Sequence, residues 1–329
     1  MVIKIGTAGM TRDEWLQERR SSLGGSDVGA ILGMNQYASP YTVWAEKTGR
    51  LPPKEDNEAM RQGRDLEQYV AERFMERSGK QVQKYSYLLR SDSAPHLHSN
   101  IDRRVLGERS GLECKTASAL SLKLYSSGEF PESYYAQCVA YLAVTGWDRW
   151  YLAALVLNKA FYIYQITTVE EDTVPDWCDG SVYVCPEEIE TLKRCAAQFW
   201  EEYIVPDKPP PPDGTEATGG ALQDVYPEDD GGVIELFGRD GLVKDYFRFC
   251  SERDSIQKEI NAIKQTIQSD MGENSTAVCA AARVSWKAQA RRTLDAKALQ
   301  KAHPEISLSP FYRETNSRVF RIKKIEEEN

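Results

Sequence analysis

Two hydrophobic periods alternate along this chain. Residues 60–79, MRQGRDLEQYVAERFMERSG, repeat at helical spacing, with Gly63, Glu67, Val70 and Phe74 at i, i+4, i+7 and i+11 on one stripe. Glu67 therefore falls on the apolar face. A carboxylate there needs a partner, a hydrogen bond or a metal, unless the stripe's edge returns it to solvent. Residues 131–147, PESYYAQCVAYLAVTGW, predict a second helix, with Glu132 in its first turn and Gly146 as its stop. Tyr134, Gln137 and Tyr141 share one of its faces. In RRSSLGGSDVGAILG, residues 19–33, Ser26 reads as the N-cap of a short helix that Gly33 ends. Unpaired N–H groups at a helix start favour anions, and Arg19 and Arg20 lie just upstream. A serine cap is also common where nothing binds.

The second period is that of strands. In SNIDRRVLGERSGLECKT, residues 99–116, a strand from Ile101 reaches a turn at Gly107–Ser110, and a second strand runs from Gly111 to Thr116. Side chains alternate between faces, so Glu113 and Lys115 share one, and Leu112, Cys114 and Thr116 take the other. A four-residue loop sets Asp102 opposite Lys115 on the polar face, within cross-strand reach. RWYLAALVL (149–157) and AFYIYQITT (160–168) predict strands joined at Asn158-Lys159, and residues 186–204 a helix begun by acids.

VPDKPPPPDGTEATGG, residues 205–220, has the proline and glycine of a linker. The expected organisation is a core over 1–207, a linker over 208–220 and a C-terminal extension over 221–329. The extension begins with a helix over 241–271, whose Val243, Phe247, Cys250, Ile256, Ile260, Ile263 and Ile267 form a partly heptad-like stripe. That stripe suits packing on the core or a contact between subunits. Strands are expected near 276–288 and 317–324, with a helix near 294–303. The fold class is α/β: a mixed central sheet flanked by helices, with an α+β extension.

Composition narrows the functional classes. The chain has 329 residues, 41% hydrophobic and 28% charged, as a globular protein with a sizeable core would. It has no apolar run of about 18 residues and no apolar leader, so neither a membrane span nor secretion is expected. Seven cysteines without a C-x-x-C suit reducing cytoplasm, and Cys178, Cys185 and Cys195 are spaced unlike a zinc site. The net charge of −9 argues against nucleic acid on the surface at large, yet leaves room for a local basic channel. One region is basic: residues 283–324 hold eleven Lys/Arg against three Asp/Glu, with Trp286, Phe311, Tyr312 and Phe320 between them. Arg291, Arg292, Arg321 and Lys324 are its candidate contacts to a DNA backbone, although a solvated surface has the same composition.

Asp102, Glu113 and Lys115 carry the candidate chemistry. Mg²⁺ prefers carboxylate oxygens and keeps waters, and a lysine beside it can stabilise charge building on a phosphate. Taken alone, the D…ExK alternation also describes a solvated hairpin with a cross-strand ion pair.

The order of the four elements is what gives the pattern specificity. A serine-capped helix, a helix with an inward Glu, D…ExK and Q-x3-Y follow one another, and in this the chain resembles the lambda-exonuclease-like YqaJ family of viral recombinases, within the PD-(D/E)xK nucleases. The resemblance covers about residues 14–205. It implies a restriction-endonuclease-like core and a Mg²⁺-dependent alkaline exonuclease (Mn²⁺ substituting) that degrades duplex DNA 5′→3′ from its ends. It further implies a single-strand annealing protein as partner, a ring-shaped trimer, and a phage or prophage gene expressed in a bacterial host's cytoplasm. Position by position, it makes Asp102, Glu113 and the Cys114 carbonyl metal ligands and Lys115 the catalytic lysine. Glu67 becomes the upstream acid of the metal site and Gln137 the catalytic glutamine. Arg20 and Ser26 become contacts to a terminal 5′-phosphate. Two departures stand out: Arg103 replaces the glycine that often follows the aspartate, and Ile101 replaces the proline of the superfamily motif. The competing readings are a PD-(D/E)xK endonuclease, a nuclease of the CRISPR-adaptation type, which the missing cysteine cluster disfavours, and a catalytically silent DNA-end-binding module.

Overall fold

The computed structural model describes residues 1–52, 56–170, 173–312 and 318–324. Caps and positive-φ residues set most of the element boundaries. β1 (Val2–Gly6) leads to α1 (Arg12–Arg20), which opens on a Thr11–Glu14 capping box. β2 (Leu23–Gly24) runs directly into α2 (Gly25–Ile31), and α3 (Pro40–Lys47) starts on a Ser39 cap with Pro40 in its first turn. α4 (Glu58–Ser78) is capped by Asn57 and ends at Gly79, whose φ is 71°. Then come β3 (Val82–Lys84), β4 (Tyr87–Ser91), β5 (Ala94–Asn100), β6 (Arg103–Val105) and β7 (Ser110–Ala117). A short α5 (Leu122–Ser126) precedes α6 (Glu132–Thr145), which stops at Gly146. β8 (Arg149–Val156) and β9 (Ala160–Thr167) turn over Asn158, which takes the left-handed φ that asparagine tolerates. β10 (Gly180–Tyr183) and α7 (Pro186–Phe199) follow, and α7 ends in a π-helical turn, Trp200–Ile204.

Among the described residues, six of these strands make one mixed sheet in the order β10-β9-β8-β7-β6-β3. β7 pairs parallel with β8, while β6–β7 and β8–β9 are antiparallel. A second sheet, β1-β4-β5-β2, was not expected from the pattern. α4 covers one face of the large sheet, where Val70 and Phe74 pack with Leu112, Tyr151 and Ile163. α6 lies between the other face, the second sheet and helices α2 and α7, and every residue from Ala136 to Thr145 is buried. The strand bearing Glu113 and Lys115 is therefore covered on both sides. This is the arrangement expected of the core: a mixed sheet flanked by helices.

The compact N-terminal unit reaches Pro227, beyond the expected boundary at residue 207 and the linker at 208–220. Past the proline run, Thr215 caps α8 (Glu216–Val225), whose Ala221 is buried and whose Thr218 hydroxyl donates to Ser39 Oγ at 2.8 Å. The second unit, Glu228–Asn329, is the α+β extension. It holds α9 (Asp240–Met271), a hairpin of β11 (Thr276–Val278) and β12 (Arg283–Ser285), and α10 (Ala296–Ala302). The strand expected near 317–324 is not formed over 318–324, and residue 317 lies outside the described residues. Arg291, Arg292, Arg321 and Lys324 are exposed, and the Lys324 ammonium lies 5.3 Å from the centre of the Phe247 ring.

Candidate active site

β6 and β7 bring the carboxylates together, in a register two residues from the expected one. Arg103 pairs with Leu112 and Arg104 with Gly111, so the ladder continued sets Asp102 across from Glu113, not Lys115. The loop closes over residues 106–109, one position earlier than the expected turn. A two-residue slip preserves the alternation, so Asp102 stays on the side of Glu113 and Lys115.

That side is buried. Glu113 is 3% exposed. Its Oε1 is 2.6 Å from Lys115 Nζ and accepts a hydrogen bond from Gln137 Nε2 at 2.8 Å. Lys115 donates to Gln137 Oε1 at 3.0 Å and sits 4.6 Å from the centre of the Tyr134 ring. Gln137 Nε2 also donates to the Tyr141 hydroxyl at 2.7 Å. The expected face Tyr134–Gln137–Tyr141 thus closes over Lys115 and Glu113. Burial disfavours the ammonium of Lys115, but the adjacent Glu113 carboxylate outweighs it, so its pKa rises above the usual lysine range.

Asp102 Oδ2 accepts the Cys114 N–H at 2.8 Å. Burial first, and the Glu113 charge second, push the Asp102 carboxyl well above the usual carboxylate range, against the pull of that N–H. The second oxygen of Glu113, Oε2, is buried without a hydrogen-bond partner. Two close carboxylates, one unfilled acceptor and a single lysine leave an excess of negative charge in a desolvated place. A hard divalent cation fits that donor set. Among the described residues, no three His, Cys, Asp or Glu side chains gather closely enough to hold an ion by themselves. The fitting set is therefore Asp102, Glu113 and backbone oxygen, with other positions left to water or phosphate.

Glu67 approaches that set from α4, and its charge is among those that raise the Asp102 carboxyl. It forms an ion pair with the buried Arg103, which also donates to the Asp102 carbonyl at 2.8 Å and to Gln68 Oε1 at 3.0 Å. Pattern reasoning placed Glu67 on the inward face but missed this partner. The signal was the arginine in the glycine's place.

The expectation that Ser26 caps α2 is corrected. The N-cap of α2 is Gly24, and Ser26 is an exposed residue of the first turn. The capping carboxylate is Asp27, which accepts the Gly24 N–H at 2.7 Å and pairs with Lys47 Nζ at 2.6 Å. Lys47 also donates to the Arg19 carbonyl at 2.9 Å. Arg20 is exposed. Nearby, Ser22 Oγ and His98 Nδ1 share a hydrogen bond of 2.9 Å. Burial, then the charges of Lys47 and Arg19, lower the His98 pKa to about 3. The Asp27 carboxyl is buried, yet Lys47 and Arg19 hold it below its usual range. Asp27, Lys47 and His98 were not among the expected site residues. They come from α2, α3 and β5, and no local period joins them. The glycines of the motif have a packing role: a Cβ on Gly25 would stand 2.6 Å from the Tyr141 ring, and one on Gly29 3.1 Å from Ser133. They let α2 lie against α6, behind Gln137.

Residues 14–148 match the family described as the YqaJ-like viral recombinase domain. An uncharacterized protein, YqaJ, of Bacillus subtilis (strain 168) is 31% identical over 321 residues, covering 96% of this chain and 95% of that one. The chain belongs to the YqaJ-like viral recombinase family. Its likeness to the Bacillus relative runs through the C-terminal extension, which is thus shared with that protein. Among solved structures, the family member is similar to an alkaline exonuclease (LHK-Exo) from Laribacter hongkongensis, at 19% identity and a TM-score of 0.46, covering 59% of this chain and 93% of the other. It is also similar to a phage-related exonuclease from Haemophilus somnus 129PT, at 10% identity and a TM-score of 0.41, covering 57% and 96%. Among the described residues, no helix is long and apolar enough to cross a membrane.

Proposed function

We propose that this protein is a Mg²⁺-dependent deoxyribonuclease that acts as a 5′→3′ exonuclease on duplex DNA ends and leaves 3′ single strands for recombination by annealing. The observation that carries the reading is the buried Asp102–Glu113 pair with its unfilled oxygen, in contact with a protonated lysine. Membership of a viral recombinase family supports a recombination role. Double-stranded ends, a single-strand annealing protein and a homotrimer belong to the same proposal, as does a bacterial host's cytoplasm as its setting.

Asp102, Glu113 and the Cys114 carbonyl would hold Mg²⁺, with Mn²⁺ as substitute. The bound ion supplies a water of lowered pKa and charge to polarise the phosphoryl oxygen. Lys115 keeps its proton beside Glu113 and presents it to the charge developing on the phosphate. Gln137 receives the lysine at one end and donates to Glu113 at the other, so one amide sets the spacing of both groups. Tyr141 anchors the amide from behind. Gln137 thus positions the pair without competing for the cation.

An endonuclease would use the same groups, and a silent end-binding module would have no use for two buried carboxylates that share one lysine and leave an acceptor open. Linear and circular duplexes with Mg²⁺ or EDTA separate these. The proposal expects loss of the linear substrate alone, only with Mg²⁺, and first from the 5′-labelled strand. Cutting of the circle points to an endonuclease, and no cutting at all to a binding module.

A further inference from the structure

Arg103 is a buried cation beside the site that the cation reading does not use. Its side chain is 5% exposed. A guanidinium cannot shed its proton to suit such a place, so it must be surrounded by acceptors. Arg103 has three: the Glu67 carboxylate, the Asp102 carbonyl and the Gln68 side-chain oxygen. It stands across the ladder from Leu112, on the sheet face that α4 covers, whereas Glu113 and Lys115 face Gln137 on α6. The bridge therefore keeps the Glu67 carboxylate turned to a fixed internal cation on the α4 side.

A divalent ion drawn to Glu67 would set its double charge against the guanidinium on the same carboxylate. Arg103 could neither deprotonate nor reach water to make room. The backbone link adds a second effect: by holding the Asp102 carbonyl, Arg103 fixes the segment that aims Asp102 at the Cys114 N–H. We infer that Arg103 stands where a second cation would otherwise be held, limiting the centre to one divalent ion on Asp102 and Glu113. This rests on the proposed cation site and deepens it. Arg103 and Glu67 are then positioning residues, and Glu67 is not a ligand.

The test uses the full chain, stripped with EDTA and titrated with Mn²⁺ by calorimetry, with electron paramagnetic resonance at saturation. The wild type is expected to bind one ion and to show an isolated Mn²⁺ spectrum. Arg103→Met is expected to bind two ions and to show the exchange coupling of a pair about 4 Å apart. Adding Glu67→Gln to Arg103→Met should return the count to one. Two ions or a coupled spectrum in the wild type would overturn the inference, as would a single ion in a folded Arg103→Met protein. If Arg103→Met does not fold, Arg103→Gln carries the same comparison, and the wild-type count decides without either. A wild type that binds no Mn²⁺ would remove the cation site itself.

Discussion

Two buried clusters of charge sit in one core and are finished differently. In the first, Asp27 accepts a backbone N–H and a lysine on one oxygen, and the lysine's remaining reach is taken up by the Arg19 carbonyl. Its carboxyl is held below the usual range. In the second, Asp102 and Glu113 share one lysine, the Asp102 carboxyl is pushed up, and Glu113 Oε2 has no partner. Burial imposes a desolvation cost on both clusters. Only the first is neutralised internally, and it joins α2 and α3. The second is left short of positive charge, as a site that must accept a cation or a phosphate should be. The contrast distinguishes a carboxylate neutralised inside the fold from a pair left with an open acceptor.

The contrast breaks most visibly if Lys47 is removed. Lys47→Met leaves Asp27 buried and unpaired, and removing one partner of a buried pair costs about 3–5 kcal/mol. Urea denaturation measures it. An unchanged unfolding free energy would mean that the Asp27 pair holds nothing together. Glu113→Gln probes the second cluster. It takes the partner from Lys115 but relieves the charge pressing on Asp102, so it is expected to cost less stability than Lys47→Met while cleavage of linear duplex falls at least about a hundredfold. Lys115→Ala is expected to lower cleavage by a similar factor. Near-wild-type turnover in either folded variant would remove the chemical role of the second cluster.

What could be read in the chain, and what could not, follows the same division. α4, α6 and the β6–β7 hairpin each announce themselves by local period. Gly146 and Asn158 mark turns where the backbone needs them. The gathering of Asp102, Glu113, Lys115 and Gln137 was legible because three of them sit on one hairpin and the fourth on an aromatic helix face. The register was not, because closing a loop at 106–109 or one residue later leaves the alternation unchanged. Ser26 was misread because Asp27 has a tertiary partner, Lys47, from the next helix, and takes over the capping. α8 was hidden behind a proline run, since its burial against α3 depends on the fold. The role of Arg103 was likewise invisible until α4 brought Glu67 beside it.

A smaller effect sharpens the comparison through pH. The folded His98 pKa is about 3, against an ordinary value near 6.5. Between those values the unfolded chain binds a proton that the folded chain does not. Stability therefore falls as pH drops through this window, by up to about 1.4 kcal/mol per pH unit. Below the ordinary aspartate range the lowered Asp27 carboxyl adds a loss of the same sign. His98→Gln should flatten the slope between about pH 6 and 4. An unaltered slope would locate the acid sensitivity elsewhere. Least in size is the effect of the exposed basic residues of the C-terminal extension. Replacing Arg291, Arg292, Arg321 and Lys324 with alanine should make the log–log salt dependence of DNA binding shallower, by up to about 0.9 for each phosphate that is no longer neutralised. An unchanged slope with an altered oligomer mass would assign the segment to assembly.

Thermal unfolding with and without Mg²⁺ tests the central claim most directly, because it needs neither DNA nor turnover. An ion that binds only the folded state adds about 2.7 kcal/mol of stability at a hundred times its dissociation constant. Wild-type protein should therefore show a Tm that climbs with Mg²⁺, whereas the Tm of Asp102→Asn and of Glu113→Gln should stay flat. An equal rise in all three proteins, or no rise in the wild type, would contradict the assignment of Asp102 and Glu113 as the cation site.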